Sequence, residues 1–398
     1  MMGLLHLNKS ARLNLAGMFG LLVILLTACS KEKDWGTAPD VRVNPNRDTP
    51  VVVITPVQPP DTVGGNPFKN VPGITSVRIG SLTSERAGMA SLEAEGKLYF
   101  AGGWGPTALV DIMDTASGAL TTKYLTQARH SIAAAHCNGL IFFAGGFTSN
   151  DFERPTDVVD ILDLRTGEMR TDKLSISRGR IAAAVLGDLV IFAGGTADKS
   201  WKGMSRVDIY DTRNRSWSTH ELQIGGMNMK SSIVDGQVIF SGGRDRTGQL
   251  SSAVEIYDGA TGKWTVMYLK SANANAEAAV VNGSNVYFFP GCRGFVEVFN
   301  GLSWQWSSLE YTGSESFSYM SGSSNQKIAL FGGFYCNYVE SRGMIIFDLQ
   351  TNRFSPVLDM PFSFSDAGVI SVGNHFYVAG GSSEDLGRNL SGIFRVTL

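Results

Sequence analysis

The sequence predicts an all-β chain folded as a seven-bladed propeller and closed by its own N-terminal strand. Three observations carry that expectation. First, an apolar strand ending in two glycines recurs: Lys97-Leu98-Tyr99-Phe100-Ala101-Gly102-Gly103, then Leu140 to Gly146 and Leu189 to Gly195. Val238 to Gly243, Ile328 to Gly333 and Phe376 to Gly381 repeat it, and Val286 to Gly291 carries it with Pro290 replacing the first glycine. Second, the copies lie roughly 42 to 49 residues apart, the spacing of a repeat architecture. Third, 46 glycines and 22 phenylalanines suit short strands joined by tight turns. No long stretch shows the 3.6-residue period of an amphipathic helix.

Each copy opens with a strand of small residues, such as Ser131-Ile132-Ala133-Ala134-Ala135 or Ile181-Ala182-Ala183-Ala184-Val185. Small side chains suit an innermost strand, where blades crowd the axis. A turn dipeptide follows (Asn138-Gly139, Gly187-Asp188, Asp235-Gly236, Asn282-Gly283) and supplies the positive φ of a tight hairpin. The apolar second strand then runs to the double glycine. The third strand ends in Asp or Asn at Asp114, Asp163, Asp211, Asp258, Asn300 and Asp348, each able to accept hydrogen bonds from the turn after it. Six residues further stands a large apolar residue, Leu120, Met169, Trp217, Trp264, Trp306 or Phe354, placed to pack between blades.

This arrangement resembles the kelch repeat, with its double glycine, V-x-x-Y-D and later Trp. Gly194-Gly195, Val207-Asp208-Ile209-Tyr210-Asp211 and Trp217 match it best, and Gly242-Gly243, Val254 to Asp258 and Trp264 match again. The resemblance covers about Thr75 to Leu398; Leu120 and Pro290 depart from it. It implies a kelch-type propeller. The seventh copy ends without a fourth strand, while Ser76 to Leu82 has fourth-strand spacing, so the N-terminal strand is expected to complete the last blade.

Ahead of the propeller (74–398), residues 1–28 read as a lipoprotein signal peptide. Lys9 and Arg12 precede an apolar run from Leu13 to Leu26, and Leu26-Thr27-Ala28-Cys29 resembles a bacterial lipobox with Cys29 as the lipidated residue. Residues 29–73, rich in Pro, Asp, Asn, Val and Thr, read as an extended tether. The expectation is an exported outer-membrane lipoprotein, on the periplasmic or cell-surface side, anchored to the membrane by its N-terminus. Charged residues make up 18% and the net charge is -2, which gives no footprint for nucleic acid. A monomer is expected.

Loops after the double glycines share a face with the segments leading into the innermost strands, and their lengths vary, as on an interaction face. The candidate ligand-binding residues there are Arg86, Trp104, Arg129, Phe147, Arg178, Trp201, Arg244, Arg246, Arg293 and Tyr335. Aromatic rings stack on sugar faces and Arg forks take carboxylates. Arg86, Arg129 and Arg178, each sixteen residues before a glycine pair, have a second reading as scaffold hydrogen-bonded to carbonyls. Glu277 is the only acid–base candidate, and a weak one. Cys292 and Cys336 occupy equivalent loops of adjacent blades and form a candidate disulfide, whereas Cys137 should stay a free thiol.

No His pair has metal-ligand spacing, no Cys-x-x-Cys occurs, and there is no G-x-S-x-G or phosphate-binding loop. Neither metal nor cofactor is expected. The copper site of galactose oxidase, a kelch-fold enzyme, has no Tyr-His counterpart here. The main functional expectation is a binding module for a carbohydrate or protein ligand. The alternatives are a sugar mutarotase or epimerase, as the resemblance to sialic acid mutarotases implies, and a scaffold in an envelope complex.

Overall fold

The computed structural model describes residues 65–270, 278–289, 295–310, 316–317, 320–335 and 339–398. They form seven antiparallel sheets of four or five strands ranged about one axis, with two small two-stranded ribbons besides, and the fold is a seven-bladed β-propeller. Blade 1 runs outward through Ala90–Ala94, Lys97–Ala101, Thr107–Asp114 and Leu120–Arg129. Blades 2 to 5 repeat that order over 133–173, 182–226, 230–268 and 278–310. Blade 6 has a broken outer edge, Arg353–Phe354 and Leu358–Asp359, with Pro356 between the pieces where a ladder donor is lacking. Blade 7 takes Gly368–Val372, His375–Ala379 and Gly392–Thr397 from the C-terminus and Thr75–Ser81 from the N-terminus. Thr75 pairs with Thr397 and Ser81 with Gly392, closing the ring as the spacing of Ser76 to Leu82 predicts.

The double glycine docks one blade on the next. Gly102 has φ +66°, and a Cβ there would lie 2.4 Å from the carbonyl oxygen of Arg129, where the chain passes from blade 1 into blade 2. That close approach excludes every side chain. Gly103 N–H donates to the same oxygen at 3.2 Å. Gly146 N–H does so to Arg178 O, Gly195 to Gly226 O, Gly333 to Phe364 O, and Gly381 to Arg86 O across the closure. The turn residues behave as read: Asp114, Asp163, Asp211, Asp258 and Asp348 accept from the amides that follow them, as does Asn300.

The large residues pack between blades. Trp217, against Phe192 and Tyr210 of its own blade, joins a cluster with Phe142 and Ile161 of blade 2, and Trp264, against Phe240 and Tyr257, joins one with Ile191 and Val207 of blade 3. Val77 is 46% exposed, so the closing strand brings no such wedge. Phe68 supplies one from outside the strand, meeting Phe331 of blade 6 at 5.2 Å and Phe376 of blade 7 at 6.1 Å, both edge-on. Phe68 and Val71 are buried, so the residues just before 74 belong to the packed core. Small residues line the axis as expected, and some bridge neighbouring blades: Ser231 Oγ donates to the Ala183 carbonyl at 2.6 Å.

Candidate functional site

The backbone that enters each innermost strand determines what faces the axis. Two residues after the docked carbonyl, the chain turns through a left-handed residue: Gly88 (φ 63°), Ser131 (52°), Arg180 (56°), Asn228 (57°) and Asp366 (52°). Four of these five are not glycine, although side chains are strained there, and such residues concentrate at functional sites. Gly88 N–H donates to Asp366 O, Arg180 N–H to Ser131 O and Asn228 N–H to Arg180 O, so neighbouring blades fix one another's turns. All five residues line one axial cavity of ≈ 1190 Å³.

The cavity wall is mixed. Trp104, Trp201 and Phe334 give it flat apolar surface, and the charged groups among the described residues are Arg180, Lys230, Arg244 and Asp366. Trp104 is held by the bare face of Gly88, where a Cβ would sit 2.1 Å from the indole Nε1. It stacks on His130 at 4.4 Å, and His130 stacks in turn on Phe147 at 5.7 Å. The Arg180 guanidinium carbon lies 4.4 Å from the Phe152 ring centroid and 4.2 Å from that of Trp201. Phe152 and Trp201 are themselves left-handed, with φ 59° and 57°. Burial lowers the Arg180 pKa to about 10, against the attraction of Asp366. Arg180 therefore stays cationic at neutral pH, held by two rings.

Asp366 is the chemically distinctive group. Its side chain is open to the cavity, yet the cavity lies inside the ring, so most of the volume around the carboxyl is protein rather than water. That desolvation raises its pKa above the ordinary carboxylate range. The charge of Glu340 raises it further, while Arg180 and Lys230 oppose the shift. Glu340 is buried and accepts from Ser363 Oγ at 2.7 Å, from Ser365 Oγ and from the Glu384 N–H at 2.5 Å. A carboxyl that holds its proton to higher pH beside fixed cations can act as an acid or, once ionised, a base.

The predicted site residues divide. Trp104, Trp201 and Arg244 reach the cavity, and Arg244 also donates to Gly248 O at 3.0 Å. Phe147 is buried behind His130 and supports the wall without forming it. Arg246 is exposed and donates to Gln223 O at 3.0 Å, away from the cavity lining. Arg86, Arg129 and Arg178 are at most 2% exposed and do not line the cavity; the scaffold reading describes them. Arg86 pairs with Asp111 at 2.6 Å, Arg178 with Asp208 at 2.7 Å, and Arg129 with Asp160. Their other terminal nitrogens reach carbonyls, as from Arg129 to Gly145 O (3.0 Å), Val158 O (2.6 Å) and Phe143 O (3.1 Å), while Nε of Arg86 and of Arg129 finds no partner among the described residues. Burial lowers each guanidinium pKa and the partner Asp opposes the change.

In blade 4 the place of the Arg is taken by Gly226, and Glu255 stands where the Asp would be. The longer carboxylate itself reaches the Gln223, Ile224 and Gly225 amides at 2.7, 3.1 and 2.7 Å. Tyr335 sits in the short strand Phe334–Tyr335, paired with Ser316–Phe317. Cys137 is a buried free thiol, donating to Gly187 O at 3.4 Å. Cys29, Glu277, Cys292, Arg293 and Cys336 lie outside the described residues.

Sequence reasoning missed Arg180, Asn228, Lys230 and Asp366 as one set. A signal existed: Arg180 and Asp366 each stand fourteen residues before a glycine pair, and Asn228 holds the same register. No protein-family model matches the chain, and no curated protein matches it. The solved structure of YjhT is similar to it at 15% sequence identity and a TM-score of 0.48, over 68% of this chain and 95% of that one.

Proposed function

We propose that the axial cavity binds an acidic sugar and interconverts its anomers. Asp366 carries this reading: a carboxyl whose pKa is raised by burial, open to a cavity whose other charged groups among the described residues, Arg180, Lys230 and Arg244, are cations. The cations suit the sugar's carboxylate, and Trp104 and Trp201 suit the apolar faces of a pyranose. Mutarotation asks little more. Protonated Asp366 gives its proton to the ring oxygen as the ring C–O bond breaks, and the anomeric hydroxyl loses its proton to cavity water. The open-chain carbonyl forms, rotates, and recloses by the reverse steps.

The binding-module reading has its own support in the exposed rim: Trp201 is 47% exposed and flanks Arg180, as a ligand platform would without catalysis. The Cys29 lipobox resemblance further leads us to propose that the domain works outside the cytoplasm on a lipid anchor.

The test follows anomer exchange of acidic and neutral sugars by proton NMR with the full chain and with Asp366→Asn. Faster exchange for an acidic sugar, lost in the variant and declining as pH rises past the raised Asp366 pKa, is the expected result. Saturation transfer with no acceleration would leave a binder, and no signal from any sugar would remove both readings.

A further inference from the structure

We propose that Ser131 and His130 form a second reactive centre in the cavity wall, a nucleophile and base able to cleave an ester bond. Ser131 lines the cavity and is held in the left-handed region at φ 52°. Its Oγ lies 3.0 Å from His130 Nδ1. The other ring nitrogen, Nε2, lies 3.0 Å from the Ser149 carbonyl oxygen. A carbonyl only accepts, so Nε2 carries the hydrogen and Nδ1 is left with its lone pair toward the serine hydroxyl. That is the nucleophile–base–orienter geometry of covalent catalysis.

The imidazole cannot turn away. It is fully buried, stacked between Trp104 and Phe147 with Phe152 edge-on at 5.1 Å. Burial, aided by the charge of Arg180, lowers the His130 pKa and keeps the ring neutral as a base. The stacked rings also favour the imidazolium that forms once it accepts a proton. Gly88, Arg180 and Asn228 spend their amides on the preceding blade, whereas among the described residues the Ser131 N–H, like that of Asp366, donates to no acceptor. It is free to meet a developing oxyanion beside the nucleophile, with Arg180 lining the same cavity.

The step balances without a further reagent. Ser131 Oγ attacks the ester carbonyl carbon and its proton moves to His130 Nδ1. The tetrahedral intermediate collapses with cleavage of the C–O bond, and the imidazolium returns the proton to the departing alcohol oxygen. Water then attacks the acyl-serine, His130 takes its proton, and Ser131 recovers a hydrogen as the carboxylic acid leaves. In this cavity the substrate class is a small acyl ester of a polar alcohol.

The test needs no sugar, so it stands apart from the anomer assay. The full chain is treated with a fluorophosphonate probe, and separately with 4-nitrophenyl acetate in stopped flow. Label and acetyl group should appear on the peptide carrying Ser131, with a nitrophenolate burst stoichiometric with protein. Labelling should slow as His130 is protonated on acidification, and fall by about 10²- to 10⁴-fold in His130→Gln. Ser131→Gly keeps the left-handed turn and should abolish both signals with near-ultraviolet circular dichroism unchanged. Absence of label on Ser131 in the folded chain, or undiminished label and burst in Ser131→Gly, would overturn the assignment.

Discussion

Asp160→Ala tests whether the buried arginines are scaffold. The substitution strips Arg129, itself fully buried, of its counter-ion and removes the acceptor of the Thr126 amide at 3.2 Å. Arg129 keeps three carbonyl partners, but the hydrogen it gave Asp160 loses its acceptor, Nε already has no partner among the described residues, and its charge is left uncompensated. Breaking a buried pair in this way costs about 3–5 kcal/mol. At roughly 2 °C per kcal/mol for a domain of this size, the melting temperature should fall by ~6–10 °C. Arg129→Met should fall similarly, because it leaves Asp160 buried and removes donors from the Gly145, Val158 and Phe143 carbonyls. The double variant should cost less than the sum of the singles, with a coupling of about 1–3 kcal/mol. Denaturant titration of the four proteins gives all the terms. A loss below about 1 kcal/mol in both singles, or additive losses, would refute the view that the pair staples the blade.

Two other outcomes follow from the same packing. Asp366→Asn should stabilise the fold at neutral pH: a carboxyl whose folded pKa is raised holds its proton more tightly when folded, so its contribution is lost as pH rises through that pKa. The gain should vanish below about pH 4, where the unfolded carboxyl is also protonated, and denaturation from about pH 3 to 8 measures it; a variant less stable at every pH would contradict it. Phe68→Ala should cost about 3–5 kcal/mol, because the ring fills the space between Phe331 and Phe376. A chain beginning at residue 74 should melt correspondingly lower than one beginning at 65, and equal melting would show that the wedge is dispensable.

Much of the ring was legible because its causes are local. A glycine pair is needed wherever a strand end must touch a neighbour's carbonyl, and Asp or Asn wherever a turn amide needs an acceptor, so both recur in step along the sequence. The wedge of blade 7 was not legible. Val77 held the right spacing, but the closing strand leaves it exposed, and Phe68 enters the gap from a segment whose composition reads as tether. Proline and polar residues describe a backbone's stiffness; they do not show which single aromatic finds a hole.

The site was legible only in part, because the sequence shows periodicity before it shows direction. Arg86, Arg129 and Arg178 stand out for recurring in register over three successive blades, as a scaffold part does, although Gly226 and Phe364 take that position in blades 4 and 7. Each arginine lies under its turn, bonded to an Asp and to carbonyls. Two residues on, the left-handed turn presents a different side chain in each of the five blades where it is described: hydrogen, hydroxyl, guanidinium, amide and carboxyl in Gly88, Ser131, Arg180, Asn228 and Asp366. The backbone of that position is repeated while its chemistry is not. In a ring of equivalent turns, uniform residues hold the blades together, and the position that varies from blade to blade forms an asymmetric ligand site on the axis. Arg180 and Asp366 are charged residues at that variable position, and each senses the other's charge across the cavity wall.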